Sequence, residues 1–346
     1  MAAIDAFLKS TVERKASDLH LAVGVSAMLR IDGELVSLDE KVLTQKDVET
    51  LVYGMITSAA KQRFTTEREL DFGYSVVGVG RFRVNIHFEK GNIGLVARAI
   101  PSEIPSMEAL GMPSVLFDLA REEQGLVLVT GPTGQGKSTA LAAMVELRNT
   151  ERANNIVTLE DPIEFVFTPK KSIVKQRELG VDMLSFAEGL KHVLRQDPNV
   201  IMVGEMRDLE TIAAALTVAE TGHLVLATLH TYSAAQTIDR IIDVFPPHQQ
   251  EQVRMQVSMV LKGVISQRLL PKKDGGRVAA REIMLTTPAV ATLIRDNKVS
   301  QLNTAMQTGR AGGMQTMDAD LARLVSEGVV EAAVAKRYLS DPDVIK

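Results

Sequence analysis

Residues 126–145 constrain the fold of this chain more than any other stretch. The apolar run Leu126-Val127-Leu128-Val129 leads into Gly131-Pro132-Thr133-Gly134-Gln135-Gly136-Lys137-Ser138, and a helical pattern with Leu141, Met144 and Val145 leads out. The middle segment matches G-x-x-x-x-G-K-[ST], the phosphate-binding loop. Its glycines let the backbone curl so that successive N–H groups face one anion. The following helix aims its positive dipole end at the same place. Lys137 is then placed to reach the β- and γ-phosphates of ATP, and Ser138 to put a hydroxyl on Mg2+. A glycine-rich loop arising by chance has no reason to sit between a strand and a helix in this order.

The rhythm set there continues downstream. Short apolar runs recur at Ile156-Val157, Val200–Val203 and Leu224–Leu226, with helical patterns between them. Ser185 with Glu188 predicts a capping box, followed by a face of Phe186, Leu190, Val193 and Leu194 that Pro198 ends. Asp208 predicts a second cap, with Leu209, Ile212, Leu216 and Ala219 turned inward and a stop near Gly222. Strands alternating with helices predict a parallel sheet covered on both faces. Beyond about residue 290 the pattern is mostly helical, broken at Gly309–Gly313.

Upstream, residues 1–98 read as a smaller α+β unit. Ile4, Phe7 and Leu8 fit one face of a short helix. Leu19, Leu21 and Val23 alternate, as do Met28 and Arg30 before the turn Asp32-Gly33, and Arg81 to Phe88 alternates throughout. Pro101, Pro105 and Pro113 punctuate the stretch that follows. The expected organisation is therefore an N-terminal domain (1–98), a linker (99–113), an α/β domain (114–290) and a C-terminal helical region (291–346).

Composition narrows the partners. The chain has 346 residues, is 45% hydrophobic and carries a net charge of −4, so it can build real cores but lacks the basic excess of a nucleic-acid binder. Trp is absent and aromatics are 4%, which leaves few stacking platforms for bases. With no cysteine, disulfides and thiolate metal sites are excluded. The N-terminus lacks a signal-peptide pattern, and no apolar run approaches the ~18 residues of a membrane helix. No nucleic acid partner and no transmembrane segment are expected.

Other residues qualify as chemistry-bearing by position. Glu205 follows Val200–Val203 and Gly204. A carboxylate at the C-terminal end of a neighbouring parallel strand faces the nucleotide crevice and could hold Mg2+. Glu160, Asp161 and Glu164 follow the run ending at Leu159 and supply candidate carboxylates for the attacking water, which the residues alone do not rank. His223 and His230 flank the strand Leu224–Thr228; their spacing is not that of metal ligands, so hydrogen bonding near phosphate suits them better than zinc. Arg81 and Arg83 share one face of their strand. They could touch phosphate as arginine fingers do, although taken alone the face reads as solvated.

Together these segments resemble the secretion-superfamily ATPases, most closely the branch that retracts type IV pili. The likeness covers nearly the whole chain: Ala16–Leu21, Gly80–Asn85, the loop 131–138, the acidic box Leu159–Phe165, Val203–Thr211, and Glu220–Leu224 through Thr228–Thr231. The resemblance implies a PAS-like α+β N-terminal domain and a RecA-like parallel-sheet P-loop ATPase domain with a helical C-terminal extension. It implies a homohexamer that binds ATP and Mg2+ on the loop Gly131–Thr139, with Arg81 and Arg83 near nucleotide. It assigns the catalytic glutamate to Glu164, the Walker B glutamate to Glu205, and a site role to His230. An inner-membrane pilus platform protein would be the partner, twitching motility the output, and the inner face of the membrane the cytoplasmic location.

The chain departs from the family pattern in two places. Ala289–Asp296 has Ala291-Thr292 where relatives carry Arg-Asn in a stretch tied to retraction. Gln135 stands where Ser is usual, at a position expected to contribute mainly backbone. Rival functions are an auxiliary motor of the same branch, an extension or secretion ATPase, a DNA translocase on the same core, and a non-hydrolysing nucleotide sensor. The absent cysteines speak against the secretion type, which commonly carries a tetracysteine zinc loop. The charge speaks against the translocase. A sensor would not need both Glu164 and Glu205.

Overall fold

The structure, a computed structural model, describes residues 3–101 and 103–345. The chain divides into two compact units, Met1–Glu103 with Pro162–Val166, and Ile104–Asp161 with Phe167–Lys346.

The first unit opens with helix α1 (Asp5–Glu13), then strands β1 (Asp18–Leu21), β2 (Ser26–Ile31) and β3 (Glu34–Val42). Helices α2 (Gln45–Tyr53) and α3 (Ser58–Glu67) precede β4 (Glu69–Val76), β5 (Gly80–Glu89) and β6 (Asn92–Ala99). The six strands form an antiparallel sheet in the order β3-β2-β1-β6-β5-β4. The last strand thus returns to lie beside the first, the PAS-like connection that the resemblance implied. Asp32 and Gly33 both take positive φ, 49° and 90°, as a two-residue turn between right-twisted strands requires. Leu19, Leu29, Val84, Ile86 and Leu95 fill one face with Phe64 of α3. Strand β1 stops at Leu21, so Val23 falls in the turn after it.

The second unit contains α4 (Ser114–Arg121), β7 (Gly125–Thr130), α5 (Lys137–Glu151), β8 (Asn155–Glu160), β9 (Ile173–Glu178), α6 (Phe186–Val193), β10 (Val200–Val203), α7 (Leu209–Glu220) and β11 (Leu224–Leu229). It continues with α8 (Ala234–Asp243), α9 (Pro247–Val260), β12 (Leu261–Pro271), β13 (Arg277–Leu285), α10 (Pro288–Arg295), α11 (Leu302–Thr308) and α12 (Met317–Ser326). Seven strands run β13-β12-β7-β11-β10-β8-β9, and only β13 is antiparallel to its neighbour. Every residue of β7, β10 and β11 is buried, which is why these strands read as unbroken apolar runs. Leu126, Leu128, Ile201, Val203 and Val225 pack one face against α6 to α10, while α5 contacts β7 and β11.

The caps act locally. Ser185 Oγ accepts from Glu188 N at 3.2 Å and Asp208 Oδ1 from Thr211 N at 2.8 Å, each satisfying a donor of the first turn. The hairpin β12–β13 and the edge strand β9 carry no run that announced them. Among the described residues, no helix is long and apolar enough to cross a membrane.

Candidate nucleotide site

The site forms where β7 ends. Gly131 takes φ 145° and Gly136, which opens α5, takes φ 78°. A β-carbon on Gly131 would lie 2.4 Å from the Gln267 carbonyl oxygen of β12, so the loop needs hydrogen there on both counts. The first intrahelical bond of α5 runs from Ala140 N to Gly136 O at 3.0 Å. The N–H groups of Lys137, Ser138 and Thr139 therefore belong to the unbonded first turn, which presents donors and a positive dipole end to an anion. The buried Lys137 ammonium donates to Gly131 O at 2.8 Å and Pro132 O at 3.0 Å. It braces the curl of Gly131, Pro132, Thr133, Gly134, Gln135 and Gly136 from inside.

Gln135 contributes more than backbone. Its side-chain Oε1 accepts from Leu269 N at 2.6 Å, and its carbonyl accepts from Gln267 Nε2 at 2.7 Å. The expectation of a mainly backbone role is thus corrected: the longer side chain ties the loop tip to β12. Nothing in the motif could have signalled this, because the partner lies more than a hundred residues away.

Glu205 follows β10 and is held by its surroundings. Thr228 Oγ1 of β11 donates to Gly204 O at 2.6 Å, and Met206 N to Thr228 O at 3.1 Å. Arg207 Nε donates to Glu205 Oε1 at 2.5 Å, and His230 Nε2 lies 3.0 Å from the same oxygen. The ring's other nitrogen, Nδ1, is 3.5 Å from Thr133 Oγ1 of the phosphate loop. Burial alone would raise the carboxyl pKa, but the Arg207 hydrogen bond and the electrostatic pull of His230 and Arg207 together hold it below its ordinary value. Glu205, Arg207 and His230 line a pocket of about 530 Å³ that continues toward Gln236 and Asp239 of α8. His223 lies at the opposite end of β11, where Nδ1 is 3.1 Å from Val218 O and 3.2 Å from Thr221 Oγ1. It is not part of this cluster.

The acidic box separates by environment. Glu160, at the end of β8, is buried and accepts from Thr158 Oγ1 at 2.6 Å and Gln176 Nε2 at 3.0 Å. Those bonds commit Oε1 to the interior. Asp161 is exposed and its charge reaches Arg207. Glu164 is exposed and belongs with the first unit.

Arg81 and Arg83 lie on β5 of the first unit. Cross-strand register puts Arg83 opposite Arg98, Arg98 opposite Asp18 and Asp18 opposite Arg30, so this row shares one face of the sheet with Arg81 two residues along. Arg98 Nε bonds Asp18 Oδ1 at 2.8 Å, and Arg81 Nη1 donates to Ser75 Oγ at 3.2 Å. The same face also carries Asp71 and Glu69 of β4, opposite Asn85 and His87, so the four arginines share it with acids.

The donors around the loop fit a nucleotide with a hard divalent cation. Backbone N–H groups and Lys137 suit phosphate. The Ser138 hydroxyl and the Glu205 carboxylate are oxygen donors of the type Mg2+ takes. A glycine-rich loop between a parallel strand and a helix, with a strand-end carboxylate beside it, defines a RecA-like P-loop ATPase.

Residues 1–343 match the family model described as Type II/IV secretion system protein, and the chain belongs to this family. It is 48% identical to the type IV pilus retractation ATPase PilT of Pseudomonas aeruginosa over 340 residues, covering 98% of this chain and 99% of that one. The type IV pilus ATPase PilU of the same organism is 40% identical over 324 residues, covering 93% of this chain and 85% of PilU. Among solved structures, the pilus retraction motor PilT with bound ADP superposes with a TM-score of 0.92 at 45% identity, covering 99% of this chain and 98% of that one.

Proposed function

We propose that this chain is a Mg2+-dependent ATPase that works as a homohexameric motor powering type IV pilus retraction. The observation that carries this proposal is a complete phosphate loop at the expected strand end in a chain similar over nearly its whole length to a retraction ATPase. The loop Gly131–Thr139 and Lys137 would hold the phosphates of ATP. Ser138 and Glu205 would hold Mg2+, which would supply charge neutralisation for the phosphates. Arg207 and His230 keep Glu205 ionised and oriented. Glu164 would take the proton of the attacking water; of its two neighbours, Glu160 is committed to Thr158 and Gln176. Arg81 and Arg83 would meet phosphate from the open face of the first sheet. The hydrolytic cycle would work on a platform protein at the inner face of the inner membrane, from the cytoplasm.

The test is a count of surface pili after deletion of the gene, with re-expression as control. More pili and lost twitching support retraction; few or none would overturn it in favour of assembly or secretion. One observation favours a helper motor as second reading. On α10, Thr292 turns its hydroxyl to its own helix, donating to Pro288 O at 2.9 Å, and Ala291 offers no polar group. A helper predicts retraction that is weakened, rather than abolished, by deletion.

A further inference from the structure

Strand β12 runs beside β7, and Ser266 pairs with Thr130. The next residue, Gln267, therefore stands against the start of the phosphate loop. Gln267 is 3% exposed, and both ends of its carboxamide are engaged. Nε2 donates to Gln135 O at 2.7 Å, and Oε1 accepts from Arg281 Nε at 3.0 Å. Arg281 is the cross-strand partner of Gln267 on β13 and is 4% exposed. Its fork reaches on to two consecutive carbonyls, donating from Nη1 to Gly111 O at 3.1 Å and from Nη2 to Leu110 O at 3.0 Å. These carbonyls close a tight turn, in which Leu110 N donates to Ser106 O and Met112 N to Met107 O. That turn lies in the segment that continues the chain from the first unit into the second.

Asp320 of α12 meets Arg281 through its backbone, accepting from Arg281 N at 2.8 Å. The guanidinium itself is thus held by neutral oxygens, and burial pushes it down to about 10 against the opposing pull of Asp320. Keeping a cation under those conditions is costly. A planar fork with fixed donor directions is what three separated acceptors require, and lysine cannot supply it.

We infer that Gln267 and Arg281 are positioning residues that link the phosphate loop to the turn Ser106–Met112, so that nucleotide on the loop changes how firmly Leu110 and Gly111 are held. The inference rests on the nucleotide-binding proposal above. The Gln267 carboxamide is engaged at both ends, so a shift of the Gln135 carbonyl moves it, and the guanidinium follows. Bonds in such a chain also polarise one another.

Amide hydrogen exchange of the full chain with and without ADP tests this, alongside ADP titration. In the wild type, ADP is expected to slow exchange at the amides of Leu110, Gly111 and Met112. Arg281→Lys keeps the charge but loses the fork. It should weaken ADP binding about fivefold, the equivalent of one net hydrogen bond, and abolish the slowing at saturating ADP. Gln135→Ala keeps the backbone carbonyl, so the slowing should survive whatever happens to affinity. If the wild type binds no ADP, the nucleotide-binding proposal falls and this inference falls with it. If the wild type binds ADP with no change at those amides, or Arg281→Lys retains the full change, only the inference is overturned. Because the wild-type measurement needs no variant, a misfolded substitution cannot hide that result.

Discussion

The two sheets of this protein carry their chemistry in different places. In the antiparallel sheet one face is core and the other is open, and Arg30, Asp18, Arg98 and Arg83 form a row across the open face. In the parallel sheet β7, β10 and β11 are buried at every residue. No solvent-facing side remains on those strands, so Lys137, Glu205 and His230 all stand beyond strand ends. Alternation permits an exposed functional surface; burial on both sides moves the groups that face solvent to the loops.

The largest effects should come from the strand-end loops. Lys137→Ala removes the ammonium that braces the loop and that is proposed to meet phosphate, and should lower ATP turnover by about 10² to 10³. Near-normal turnover in a phosphate-release assay would put the site elsewhere. Glu164→Gln should slow hydrolysis by about 10² while ADP still binds; unchanged turnover would move the water-activating role to another acid.

Stability should divide the sheets next. Leu226→Ala in β11, where Leu226 is fully buried, should cost about 2–5 kcal/mol in urea unfolding. Val36→Ala in β3, 43% exposed, should stay within about 0.5 kcal/mol. Equal costs would break the comparison.

A pH-dependent effect is one the sheets share. Asp18 and Glu205 are both held below their ordinary carboxyl values: in each, burial alone would raise the value, and it is outweighed by the Ser17 and Arg98 hydrogen bonds at Asp18 and by Arg207 and His230 at Glu205. A carboxylate whose pKa is lower in the folded chain adds stability above its unfolded value, and loses it as pH falls through the folded one. Arg98 and Arg207 are largely exposed, so each contribution should be at most about 1 kcal/mol. The stability gaps to Asp18→Asn and Glu205→Gln should therefore be full near neutrality and close below the ordinary carboxyl range. A gap that widens on acidification would reverse the sign.

What could be read in advance follows the same division. The fully buried strands β7, β10 and β11 stood out as apolar runs, and β5 stood out by its alternation. Strand β12 did not, because Ser266, Gln267 and Arg268 interrupt its apolar run. Of these, Gln267 is the one that reaches the phosphate loop and Arg281 of β13. Strand β9 is a half-exposed edge with Lys175 and Arg177, and it lacks either pattern. The acids of the 160–164 box differ through Gln176, which arrives from β9, a contact that no local pattern encodes.

The approach of Gly131 to Gln267 bears on how this sequence can change. The obstacle to a β-carbon at 131 is a main-chain oxygen, 2.4 Å away, and every amino acid brings that oxygen to position 267. No second substitution at 267 can make room, so a lineage that loses this glycine can recover only by restoring it. Position 135 is held through its carbonyl, which any residue supplies, and through its side chain, so exchange there can be compensated by its neighbours. Two residues of one loop, four positions apart, thus face opposite evolutionary rules.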